Sequence, residues 1–170
     1  MSEFVLAAYD REDTADHVLG VLRAHSDDLP ADLDAVAVVR IGTDGGFTVT
    51  TTDRPGSGGS FWGVFFEALF GLVYLVPTPG MAYGPNLGGL FGAIDRAGLD
   101  EDFRTRVRTT LRRPGSGLTF MAADWDPELV LGQLYLRPDG LLRTSLSSAQ
   151  DAELVHELGG APSRTGGKDA

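Results

Sequence analysis

The stretch that most constrains this chain runs from Pro55 to Ile94, PGSGGSFWGVFFEALFGLVYLVPTPGMAYGPNLGGLFGAI. It holds one charged residue, Glu67, in a protein that is 22% charged. Apolar and aromatic residues alternate with glycines throughout. A segment so free of charge has to be covered, by its own domain, by a partner or by lipid.

Its first half, Phe61 to Val76, reads as a helix of sixteen residues. Such a helix is about 24 Å long, short of the roughly 30 Å hydrocarbon core of a bilayer. Gly63, Glu67 and Gly71 recur every fourth residue and share one ridge. Phe61, Phe65, Leu69, Leu72 and Tyr74 lie elsewhere around it, so the helix is apolar almost all round. Pro77 and Pro79 end it. In the second half Gly80, Gly84, Gly88 and Gly92 form a repeated small-xxx-small ridge, which lets another helix approach closely. Pro85 fits the first turn of a helix to Ala97, where its missing N–H costs nothing, and Gly98 stops that helix. The two helices, joined at Val76–Gly84, form a hairpin.

Three environments for this hairpin stay open. It can be buried in a homo-oligomer or against its own domain, it can insert in a membrane, or its aromatics can line a cofactor pocket. Glu67 argues against lipid exposure, because a carboxylate there is costly without a partner.

The rest of the chain is conventional. With 170 residues it has enough length for one domain and an insertion. Its formal charge of −10 leaves no basic footprint for nucleic acid. Lys168 is the only lysine, and the absence of cysteine excludes disulfides and thiolate sites. The opening MSEFVLAAYDRED lacks the basic and apolar regions of a secretory signal. The expected location is the cytoplasm, including the inner face of the cytoplasmic membrane.

In order, Phe4–Tyr9 reads as a buried strand and Asp10 as the cap of a helix bearing Ala15, Val18, Leu19 and Leu22 on one face. Ala35–Ile41 and Phe47–Thr52 read as a hairpin around Thr43-Asp44-Gly45-Gly46. Asp100 caps a helix with Phe103, Val107 and Leu111 on one face. Arg108, Arg112 and Arg113 close it, as the helix dipole favours, and read as a solvated face. Leu118–Ala123 is a strand, Asp126-Pro127 opens a helix to about Tyr135, and Leu141–Leu146 is the last strand. Ser148 caps a final helix, Ala149–Leu158, with Asp151 three residues on. Gly159–Ala170 reads as a loose tail.

Strand–helix–strand therefore occurs twice. The expected fold is α+β, a ferredoxin-like four-stranded sheet built from two βαβ halves with helices on one face. The expected divisions are 1–54 for the first half and its hairpin strand and 55–98 for the apolar glycine-rich helical hairpin inserted at one end. Residues 99–158 carry the connecting helix and second half, and 159–170 the tail.

Several pieces together resemble an uncharacterised bacterial family known as membrane proteins of unknown function and related to small stress-protein domains. They are Tyr9-Asp10 ending the first strand, Gly59-Ser60-Phe61-Trp62-Gly63, Leu69-Phe70-Gly71, the glycine ridge to Gly92, Gly98 to Phe103, Pro114 to Gly117 and Leu142 to Ser147. The resemblance implies no activity. The chain departs from the family at Glu67, where members are mostly apolar, and at Pro77, Pro79 and Pro85.

Catalytic signatures are missing. Gly56-Ser57-Gly58-Gly59 lacks the lysine of a phosphate-binding loop. His17, His25 and His156 are scattered and read as surface residues. Ser116 sits in a tight Pro-Gly-Ser-Gly turn without a partnered base. Asp124, Asp126 and Glu128 cluster beside Trp125, but helix capping accounts for the first two. The expectation is therefore a non-enzymatic protein with no catalytic residue, cofactor or metal. Its expected partner is a second copy of itself, met through Phe61, Trp62, Gly63, Phe65, Phe66, Glu67, Gly71, Gly84, Gly88 and Gly92. Two alternatives are insertion of the hairpin among membrane lipid and a small-molecule site on the sheet's open face, marked by a polar cluster of Tyr9, Arg40 and Asp124.

Overall fold

The structure, a computed structural model, describes residues 2–24, 35–53, 60–74, 92–123, 126–154 and 156. The joint of the apolar hairpin, most of its second helix and the tail lie outside these residues.

Five strands form one sheet: β1 (Ser2–Tyr9), β2 (Ala35–Ile41), β3 (Phe47–Asp53), β4 (Gly115–Ala123) and β5 (Gly140–Leu146). Their order is β3-β2-β4-β1-β5 and every neighbouring pair is antiparallel. The helices are α1 (Thr14–Ala24), α2 (Ser60–Tyr74), α3 (Glu101–Thr110) and α4 (Glu128–Leu131). Short helical segments also occupy 92–96 and 148–154. The architecture is α+β, as expected, and the expected hairpin strand, β3, extends the four-stranded sheet to five.

Strand alternation divides the core in two. Val5, Ala7 and Tyr9 of β1, Val36 and Val38 of β2, and Leu118, Phe120 and Ala122 of β4 meet Ala15, Val18, Leu19 and Leu22 of α1 and Val130 of α4. Phe4, Leu6 and Ala8, Ala37, Val39 and Ile41, and Met121 face the other way. They meet Phe65, Phe66, Leu69, Phe70 and Val73 of α2 together with Phe103 and Val107 of α3. Because both faces of β1 are covered, it reads as an unbroken apolar run rather than an alternation.

This corrects the expected layout. Helices cover both faces, and α2 does not project from one end. It packs on β3 and β2 and closes the second face of the sheet. The physical reason is plain: without that cover Phe4, Leu6, Val39 and Ile41 would be exposed together.

Local signals behave as their chemistry dictates, with three exceptions. The β2–β3 turn is closed by Gly45 N–H to the Gly42 carbonyl at 3.0 Å, with Gly45 at φ +86°. Asp100 accepts the Phe103 N–H at 3.2 Å and starts α3. Gly98, at φ +88°, ends the segment before it. The final helix starts one residue earlier than expected: Ser147 Oγ accepts the Gln150 N–H at 3.1 Å while Gln150 Oε1 accepts the Ser147 N–H at 2.8 Å. Asp10 does not cap α1; its own N–H donates to Asp139 Oδ2 at 2.9 Å. The helix after Asp126 stops at Leu131, well short of Tyr135.

Candidate functional site

The expected association residues separate into two groups along α2. Phe65 and Phe66 are fully buried inside the chain, ring centroids 5.5 Å apart, with Phe66 6.4 Å from Phe4. They therefore supply area to this chain's own core, not to an outer surface. Glu67 is exposed and Gly71 half-buried. A Cβ added at Gly71 would meet no described atom within 4 Å. One face of α2 is thus spent on the sheet, and the ridge bearing Glu67 and Gly71 is the face turned from it. Gly63 shares that ridge by its spacing of four. The side chains of Phe61 and Trp62, and residues Gly84 and Gly88, lie outside the described residues. Gly92 starts the 92–96 segment, where a Cβ would come within 3.1 Å of Arg96 Nη1.

The end of α2 is held by α3. Arg108 Nη1 donates to the Val73 carbonyl at 2.9 Å, and Nη2 to Glu101 at 2.8 Å and Thr105 at 3.0 Å. The Arg108 hydrogen bond holds the Glu101 carboxyl below its ordinary pKa. Arg104, 12% exposed at its side chain, binds Asp95 and the Leu99 carbonyl, each at 2.8 Å. Arg108 thus ties α3 to α2, whereas with Arg112 and Arg113 it reads in the sequence as a solvated face; Arg104, which the sequence did not single out, ties α3 to the 92–96 segment and the Leu99 carbonyl. Tyr74 packs its ring 5.4 Å from Phe47, and burial pushes its phenol pKa up.

A second, polar locality lies where β1 and β2 end and β4 begins. Asp10, Arg11, Glu12, Asp13, Arg40 and Pro114 line an open cleft of about 450 Å³. Arg40 donates to the Glu12 carbonyl at 3.3 Å and pairs with Asp16 at 3.3 Å. Buried Ser116 donates to the Arg11 carbonyl at 2.6 Å and accepts the Ala15 N–H at 3.0 Å. Its hydroxyl is thus committed to capping α1 from across the chain. Gly115 is equally constrained: a Cβ there would sit 2.5 Å from the Arg112 carbonyl and 3.0 Å from that of Tyr9.

Of the expected polar cluster of Tyr9, Arg40 and Asp124, only the first two lie among the described residues. Tyr9 donates to the Leu136 carbonyl at 2.9 Å, Arg40 is exposed, and Asp124 lies outside the described residues. Asp126 accepts the Glu128 N–H at 3.0 Å, and Glu128 pairs with Arg143 at 2.9 Å. No group of three or more possible metal ligands occurs among the described residues. His17 meets the edge of Tyr135 with centroids 5.6 Å apart, and His156 is exposed.

Tyr9 carries a pH dependence. The residue is 3% exposed, and its phenol is pushed up from 10.0 to about 12, first by burial, then by Asp139 and Tyr135. A pKa raised on folding means the folded state holds the proton more tightly. That contribution is complete below the ordinary pKa and is lost as pH rises through the raised one. Urea unfolding followed from about pH 9 to about pH 12 should therefore show the wild type losing stability more steeply than Tyr9→Phe. Equal slopes would remove Tyr9 from the account.

No described helix is long and apolar enough to cross a membrane. At 15 residues α2 spans roughly 22 Å, and entry into lipid would strip Phe65, Phe66, Leu69 and Phe70 from the sheet. Comparison with known proteins adds a family and nothing more specific. No curated protein and no solved structure matches the chain. Residues 57–159 match the family described as "Protein of unknown function (DUF1269)". That region starts just before α2, takes in α3 and β4, and runs past β5, which is more than half of the 170 residues. The chain belongs to that family.

Proposed function

We propose that this protein is a non-enzymatic self-associating protein whose copies meet through the outward ridge of α2, Gly63, Glu67 and Gly71, with Gly84, Gly88 and Gly92 of the following segment. The observation that carries this reading is Gly71. A glycine in mid-helix costs about 1 kcal/mol relative to alanine. Among the described residues that cost has no return, because the space where its side chain would stand meets no described atom. A closely approaching second helix would use that space.

The strand order supports the frame proposed for this surface. Without β3 the order is β5-β1-β4-β2, with β1–α1–β2 straddling β4 and β4–α4–β5 straddling β1. We read that order as a ferredoxin-like sheet with one strand added at its edge. On this reading the glycine-rich hairpin is the insertion between the halves, folded back over the second face.

Gly71→Leu tests the assignment. No described atom stands within 4 Å of where the side chain would begin, so the variant should fold. Its association should fall, read as a smaller mass by light scattering after size-exclusion chromatography. An unchanged mass would refute the ridge.

A further inference from the structure

We infer that β3 is a second self-association surface, on which two copies pair their β3 strands antiparallel and join their sheets into one. This does not rest on the α2 ridge, which is a different surface.

The inner edge of β3 is fully used. Every residue from Phe47 to Asp53 is in register with β2, from Ile41↔Phe47 to Ala35↔Asp53, with no bulge. The outer edge pairs with no described residue. Such an edge displays a row of free N–H and C=O groups, and proteins that remain single usually blunt it with charge, proline or a bulge. The sequence FTVTTTD has no proline, glycine, lysine or arginine, and its one charge, Asp53, is at the end. Thr48 and Thr50 are exposed on one face, while Phe47, Val49 and Thr51 are half-buried on the other.

Charge and register select a second copy as the occupant. A strand pairing with itself about a two-fold axis places its central residue opposite its own copy. Centred on Thr50, the register sets Thr50 against Thr50, Val49 against Thr51 and Thr48 against Thr52. These three are uncharged β-branched pairs of the kind that stabilise sheets, and Phe47 falls opposite Asp53 at each end. The opposite edge of the sheet fails the same test. The centre of β5 is Arg143, held by Glu3 at 2.5 Å and Glu128 at 2.9 Å, and self-pairing there would oppose two arginines. Because the chain carries a net charge of −10, a strand whose one charge lies at its end is also where two copies approach at small electrostatic cost.

The natural chain has no cysteine, so introduced cysteines report on this register directly. Thr50→Cys should give a disulfide-linked dimer under mild oxidation, because directly opposed Cβ atoms lie about 4.5–5.5 Å apart. Thr48→Cys should cross-link at least tenfold more slowly, since its copy lies four residues along, roughly 13 Å away. Thr50→Lys should weaken dimerisation at least tenfold by sedimentation equilibrium, with an unchanged circular dichroism spectrum. Equal cross-linking at both positions, or an intact Thr50→Lys dimer, would overturn the proposal. If Gly71→Leu alone abolishes association and Thr50→Cys does not cross-link, the ridge stands and the edge falls. If Thr50→Cys cross-links while Gly71→Leu leaves the mass unchanged, the edge stands and the ridge falls.

Discussion

Phe66→Ala is expected to destabilise the folded chain by about 3–5 kcal/mol, the range for removing a fully buried aromatic ring. Phe66 has no exposed surface, and it packs against Phe4 and Phe65 where α2 meets the sheet. The second face of β1 and β2 depends on this contact, because Phe4, Leu6 and Val39 have their cover from α2 and its neighbours. Urea unfolding measured by fluorescence would show the loss as a shifted midpoint with little change in slope. A loss under about 1 kcal/mol together with a smaller oligomer would instead place Phe66 in an interface between copies. Gly71, five residues further on, should behave oppositely, since it lies on the other face of the same helix.

The second large effect concerns the matched region. A fragment confined to residues 57–159 is expected not to fold cooperatively, although it spans the whole family match. It retains β4 and β5, but these strands do not touch in the sheet, because β1 lies between them. β1 pairs with β4 from Ser2↔Ala123 to Tyr9↔Ser116 and with β5 from Ser2↔Leu146 to Ala8↔Gly140. Without it both strands lose a backbone ladder, and the core loses Phe4, Val5, Leu6 and Ala7, all fully buried. Adding residues 1–56 in trans should restore a folded complex. A cooperative thermal transition from the fragment alone would show that the region holds its own sheet.

Much of this was legible where a residue's chemistry acts locally. The run FVLAAY had to be a strand covered on both faces, Gly45 had to turn, and Asp100 had to start a helix. What stayed hidden depends on contacts distant in sequence. The cap of α1 comes from Ser116, 101 residues from the amide it accepts. Asp10 looked the natural cap, but Asp139 claims its backbone N–H. The role of α2 was obscured by its composition: a helix apolar almost all round does not declare which face meets the sheet. Phe65 and Phe66 were therefore read as interface aromatics and proved to be core. The ridge itself, Gly63, Glu67 and Gly71, was visible as a spacing of four. For Gly71 the structure adds that no described side chain or backbone fills the space beside it.

The most direct test of the account is one pair of measurements on Gly71→Ala: association by sedimentation equilibrium and stability by urea unfolding. A methyl group there relieves the helix of a glycine and meets no described atom, so stability should rise by about 0.5–1 kcal/mol. In the assembly the same methyl group stands where a second helix approaches, so association should weaken. Opposite signs are the predicted result. A variant that gains stability and keeps the wild-type association constant would contradict the account, as would a wild type that stays a single chain at every concentration.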